Sequence, residues 1–193
     1  MSDASFLKGE DMNKKEIYFL TALCMLISLI YSGCGSIAKT GNESTVLSLE
    51  DFHIEEDKFQ YKNIPFGSSS EEATRKIKKE FKKLEAENSV SVSYYTKESS
   101  DFYGCDATLF LDFNKNKMCG AKIQFKLKEG EEQFQEILAE MTELYGEPEV
   151  NGGEGEYFTS EIYSWKKGVT YLQAILIKTE VETSAVVGVF KMD

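Results

Sequence analysis

Apolar positions recur along this chain with two different periods, and the switches between them mark its elements. From Asp106 to Phe113 and from Lys117 to Leu127 every second residue is apolar or small: Ala107, Leu109, Leu111 and Phe113, then Ala121, Ile123, Phe125 and Leu127. This alternation predicts two strands with one buried face, joined by Asn114-Lys115-Asn116, and leaves Thr108, Phe110, Asp112, Lys122 and Gln124 on the other face. Val90 to Tyr95, Ser160 to Lys166, Val169 to Lys178 and Ser184 to Met192 read as further strands. Helical spacing appears twice. Ala73, Ile77, Phe81 and Leu84 predict a helix from about Ser68 to Glu87, capped by Ser68 or Ser69 with Glu71 or Glu72. Phe134, Ile137, Leu138, Met141, Leu144 and Tyr145 predict a second from Glu131, closed by Gly146 and Pro148. Phe52, Phe59 and Tyr61 mark a short extended segment before a turn at Ile64 to Gly67, and Asn151 to Gly155 reads as a glycine-rich loop.

The element order is helix and three strands, twice over. It predicts an α+β fold in residues 51–193, built from tandem α-β-β-β repeats at about 64–128 and 129–193 that form one antiparallel sheet with two helices on one face. Ile77, Phe81, Phe134, Leu138 and Met141 are then expected to pack on the odd-numbered residues of the central hairpin, leaving the opposite sheet face open. The order resembles the β-lactamase-inhibitor-protein-like tandem repeats and small outer-membrane-assembly lipoproteins, whose Gly-x-Ser/Thr-x-x-Glu helix start is similar to Gly67 to Glu72. That resemblance covers an element order and one helix start.

The N-terminal region has a different pattern. Lys14 and Lys15 precede an apolar run from Ile17 to Tyr31, followed by Ser32-Gly33-Cys34-Gly35. About 15 apolar residues suit an export-signal core better than a ~20-residue membrane span. The segment 12–35 resembles bacterial lipoprotein precursors, except that Tyr31 stands where that family usually has an aliphatic residue. The resemblance implies cleavage before Cys34 and a diacylglycerol on its sulfur; an uncleaved anchor, or cleavage near Gly35 or Ser36, is the alternative. Residues 1–11 carry Asp3, Glu10 and Asp11, the wrong charge for the start of a signal, so Met12 is the better start and 1–11 read as a misassigned start or as residues added to the natural chain. Residues 34–50, rich in Gly, Ser, Thr and Asn, predict a flexible lipid-anchored tether.

Charge narrows the partners. Without residues 1–33 the chain carries 29 acidic and 19 basic residues, which argues against nucleic acid and leaves attachment to the lipid at Cys34. Cys105 and Cys119 fall on one face of the hairpin about six residues out of register, on the order of 20 Å apart against a ~7 Å limit for a bridge, so two unbridged core thiols are expected. His53 is the only histidine and no Cys-x-x-Cys occurs, so no metal or cofactor is expected. Asp112 to Asn116 lacks the glycine and terminal Glu of a calcium loop and reads as a turn. Nucleophile-elbow, P-loop and zincin motifs are missing, so an enzyme is not expected.

Two further features bear on binding. The predicted first helix has a basic outer face, and the second turns Glu132, Glu136, Glu140 and Glu143 outward. Aromatic residues gather at Tyr94, Tyr95, Phe102 and Tyr103 and at Tyr157, Phe158, Tyr163 and Trp165, and Tyr103, Tyr157, Phe158, Tyr163 and Trp165 form the candidate interaction surface on the open sheet face. The expectation is a lipid-anchored, non-catalytic envelope protein, on the outer side of the cytoplasmic membrane or on an outer membrane, that binds another protein. The alternative is a carbohydrate-binding surface module.

Overall fold

The computed structural model describes residues 46–85, 91–155 and 157–191. The signal segment, Cys24, Cys34 and residues 34–45 of the tether lie outside the described residues.

A single turn of 3₁₀ helix at Leu49–Asp51 leads into a hairpin, β1 (Phe52–Glu55) and β2 (Lys58–Tyr61). Leu47 and Leu49 are already buried, so the packed domain begins before residue 51 and the tether ends sooner than its composition implied. Helix α1 (Ser70–Ile77) follows, and then β3 (Phe81–Glu85), β4 (Ser91–Thr96), β5 (Ser100–Phe102), β6 (Cys105–Asn114) and β7 (Lys117–Lys126). Helix α2 (Glu131–Tyr145) precedes β8 (Glu149–Glu154), β9 (Phe158–Lys167), β10 (Thr170–Thr179) and β11 (Thr183–Lys191). The molecule is α+β: nine of the strands form one antiparallel sheet in the order β3-β4-β6-β7-β11-β10-β9-β8, with β5 beside β6.

One face of this sheet carries the core. Leu109, Leu111, Phe113, Ala121, Ile123 and Phe125 from the central hairpin join Leu172, Leu176, Val187 and Val189, and are covered by Ala73 and Ile77 of α1, by Phe134, Ile137, Leu138 and Met141 of α2, and by Phe52, Phe59 and Tyr61 of the β1–β2 hairpin. The odd-numbered face of the β6–β7 hairpin is therefore buried as its alternation predicts. Its turn is two residues long, with Lys115 and Asn116 both at positive φ, which matches the right-handed twist of the strands it joins.

Two of the expected elements are different in kind. The first helix stops after two turns, with Lys78 left-handed as its cap, and residues that continue its spacing form β3 instead. Continued to Glu87, the helix would have stacked Arg75, Lys78, Lys79, Lys82 and Lys83 as like-charged neighbours three and four apart, each pair costing a few tenths of a kcal/mol. As a strand the segment instead hydrogen-bonds the edge of β4 and leaves lysines on the outermost strand, where they discourage further pairing. The expected loop at Asn151 to Gly155 belongs mostly to the strand β8. A side chain at Gly152 would come within 3.1 Å of the Ser160 carbonyl, so this glycine lets β8 lie close against β9. The first helix is thus followed by two more strands than expected, β3 and the short β5, and the second by one, β8; among the described residues β3 and β8 are the two ends of the sheet order.

Cys105 and Cys119 are unbridged. Cys105 is buried, but Cys119 is not on the core face: pairing jumps from Asp112↔Gly120 to Phe113↔Met118, leaving Cys119 as the extra residue of a bulge. The bulge brings Met118 into the core and leaves the Cys119 thiol half-buried against the Asp112 carbonyl.

Candidate functional site

The C-terminal end of α2 meets β9 in an aromatic joint. Pro148 cannot continue the helix, and Gly146, at φ 85°, turns the chain away. The turn presents the Gly146 carbonyl to the Trp165 indole N–H, which donates to it. Next to it, the Tyr145 hydroxyl donates to the Phe52 carbonyl at 2.7 Å, and its ring meets Trp165 at 6.2 Å and Phe59 edge-on at 5.6 Å. Burial, with the Glu140 carboxylate nearby, pushes the Tyr145 hydroxyl up to about 12. Tyr145 and Trp165 form the floor of an open cleft of about 380 Å³ walled by Glu147, Pro148, Glu149, Ser164, Lys166 and Lys167.

The five candidate aromatics are not gathered on an open face. Tyr163 and Trp165 do share a face, but it is the one under α2, where Tyr163 packs on Phe134 and Trp165 is only 4% exposed. Tyr103 lies at the flank of the same helix, its hydroxyl donating to Glu140; burial and that carboxylate push its ionisation well up. The Phe158 ring lies over Gly155, where any side chain would collide with it, and closes the β8–β9 turn. Tyr157, 72% exposed in that turn, is the one most open to solvent. Leu144 on α2 and Val150 on β8 are also exposed, at 51% and 60%. Val150 pairs with Tyr163 and so stands on the helix side of the sheet, and β8 has no further strand beside it among the described residues.

The opposite sheet face is not open in the way expected. Phe110 is only 4% exposed: the Tyr95 ring stacks on it at 5.8 Å and the Lys122 ammonium lies 5.5 Å from its centre. Lys122 is itself buried and paired with Asp112 at 2.9 Å, and Gly188 makes room for it, since a side chain there would meet the Lys122 Cβ at 2.7 Å. Farther along this face Val186, Ile175 and Ile162 follow one another across β11, β10 and β9, with Ile177 beside them, so this stretch is aliphatic, and its half-buried aromatics are the paired Tyr171 and Phe190 rather than those expected.

No family model, curated protein or solved structure matches this chain.

Sequence reading missed two polar anchors of α2. Gln133 is buried and accepts from the Lys128 backbone N–H at 3.0 Å while donating to the Tyr103 carbonyl at 2.8 Å. Its signal was available, because four residues before Ile137 it falls on the helix's apolar stripe. The other is Lys178, 3.0 Å from both Glu131 and Glu161. Those hydrogen bonds hold the ammonium in its charged form, and the same lysine, with the Tyr163 hydroxyl, keeps the Glu161 carboxyl below its ordinary range. His53 pairs with Gln60 across the β1–β2 hairpin. Among the described residues no group of His, Cys, Asp or Glu is placed to hold a metal ion, and no helix is long and apolar enough to cross a membrane.

Proposed function

We propose that the chain is a lipid-anchored, non-catalytic module of a bacterial cell envelope that binds another protein along the free edge of β8. The observation that carries this reading is the company β8 keeps: an edge strand with no further strand beside it among the described residues, carrying exposed Val150 and flanked by exposed Leu144 and Tyr157. An extended segment of a partner can add to such an edge through main-chain hydrogen bonds, while flanking apolar side chains select it. The polar groups at the floor of the neighbouring cleft are engaged in holding α2, as the Trp165 and Tyr145 hydrogen bonds illustrate, and this favours recognition over chemistry. Anchorage through Cys34 is part of the proposal and is supported by the signal-like segment before it.

We also read the domain as two α-β-β-β-β halves, with the short β5 added beside β6 in the first. Support comes from the sheet order, which runs outward from the β7–β11 seam as β7-β6-β4-β3 on one side and β11-β10-β9-β8 on the other.

A photo-crosslinking residue placed at Val150 or Tyr157 and irradiated in intact cells tests the binding edge. The expected outcome is a discrete adduct from both positions and none from Val181, which is exposed on the β10–β11 turn. Equal labelling from all three positions would contradict a binding edge at β8.

A further inference from the structure

We infer that the α1/β3 end of the domain docks on anionic phospholipid headgroups, orienting the domain with this end toward the bilayer. The inference rests on anchorage at Cys34 and adds to it a second contact.

Charge is distributed unevenly along the chain. Residues 58–83 hold eight basic and three acidic side chains, whereas residues 129–161 hold eleven glutamates and no lysine or arginine, within a chain of net charge −11. The fold places the first stretch where the chain coming from Cys34 joins the domain. Val46 bridges to Asp101 and the Leu47 N–H donates to the Asp101 carbonyl at 2.8 Å. Lys79 donates to the hydroxyl of Ser100, the neighbour of Asp101. Lys76 donates to the Asn63 carbonyl at 2.8 Å, and Lys62 lies 3.5 Å from Asp51. Burial first, and then the nearby Lys62 charge, disfavour protonated Lys79, while Glu98 and Asp51 act the other way. Arg75, Lys78 and Lys82, all within four residues of Lys79 in the chain, are exposed.

Eleven residues lie between Cys34 and Val46, a span of at most about 40 Å. An anchor at Cys34 therefore keeps the entry point of the domain within that distance of the membrane, charge selects which end turns to it, and each lysine reaching an anionic surface contributes about a fivefold gain in binding. The glutamate-rich α2–β8 region is repelled by the same surface. It stays turned outward, leaving the β8 edge accessible.

The test uses the full chain as cells process it, reconstituted into vesicles of phosphatidylcholine alone or with phosphatidylglycerol, and lysine acetylation read by mass spectrometry. Lys76, Lys78 and Lys82 are expected to lose about fivefold in reactivity on the anionic vesicles, with Lys167 unchanged and the protection removed by high salt. Arg75→Glu with Lys78→Glu and Lys82→Glu is expected to abolish the protection of Lys76. Equal reactivity on both vesicles would overturn the docking, as would protection by inorganic phosphate on neutral vesicles, which marks an ion pocket, or protection seen only in native membranes, which marks an acidic protein. Flotation separates the two claims. A chain that floats with neutral vesicles but shows no lipid-dependent protection keeps its anchor and loses the docking; one protected on anionic vesicles that does not float with neutral ones keeps the docking and loses the anchor.

Discussion

Helix α2 has fifteen residues and buries Phe134, Ile137, Leu138 and Met141, whereas α1 has eight and buries only Ala73 and Ile77. The longer helix is also tied down by polar groups: Gln133 reaches the Tyr103 carbonyl, Tyr145 the Phe52 carbonyl, and the Gly146 carbonyl at its end holds Trp165. The shorter one is fixed mainly at its start, where Ser69 caps the Glu72 N–H and Asn116 accepts from the Ser70 N–H and hydroxyl. Two helices on one sheet face thus divide the work. Apolar burial and aromatic hydrogen bonds make α2 the structural member, and α1 with β3 is left with little to hold and much charge to display.

The largest expected effect breaks α2. Phe134→Ala should cost about 3–5 kcal/mol, and Ile77→Ala in α1 about 2 kcal/mol, because less apolar surface surrounds it. Urea unfolding of the two variants measures the difference, and equal losses would erase the distinction between the helices. The two sheet faces can be set against the same scale. Leu111→Ala should cost about 2–5 kcal/mol and Phe110→Ser a similar amount, since Phe110 is enclosed by Tyr95 and Lys122. A loss near zero for Phe110→Ser would return that face to the open state its alternation implied.

Alkali should act on the buried tyrosines of the α2 side and also on the β1–β2 hairpin, where burial, then Asp51, pushes the Tyr61 ionisation well up. Tyr103, Tyr145 and Tyr163 all ionise later in the folded chain than an ordinary tyrosine, first because burial opposes the charged phenolate. Each therefore contributes stability that is complete below the unfolded value of ~10 and is lost as pH rises through the folded one. The urea midpoint is expected to fall above pH ~10, and Tyr145→Phe, though less stable at neutral pH, should show a shallower fall. Smaller still is the loss of the Asn116 contact: Asn116→Ala should cost about 1 kcal/mol. The smallest effect belongs to the basic end, where Arg75→Glu and Lys82→Glu should each move stability by no more than about 0.5 kcal/mol.

The alternating core was legible because the β6–β7 hairpin has one apolar and one polar face, so period alone assigns its sides. The second half was harder for the same reason. β9 to β11 are apolar on both faces, with Leu172, Leu176, Val187 and Val189 on one and Ile162, Ile175, Ile177 and Val186 on the other. Alternation put Tyr163 and Trp165 together but could not say which face α2 covers, and they lie beneath it. Both edge strands were misread from local chemistry. In β3, Phe81 and Leu84 are three apart and match a helix, and the free edge of β4 that recruits them is a tertiary fact. In β8, Gly152 and Gly153 signal a loop until the closeness of β9 is known. The bulge at Cys119 inserts one residue into an otherwise regular pattern and moves that thiol off the face its parity assigned. Of the candidate surface, Tyr157 is the residue whose exposure best fits a contact role.

The proposed binding edge and the proposed basic docking end are both set in a chain proposed to be anchored at Cys34, so the most direct measurement is the intact mass and N-terminal peptide of the protein extracted from the cell envelope. The account predicts an N-terminus at Cys34 carrying a diacylglycerol, and an uncleaved, unlabelled precursor for Cys34→Ala. A mature chain beginning at Gly35 or later, without lipid, would contradict it.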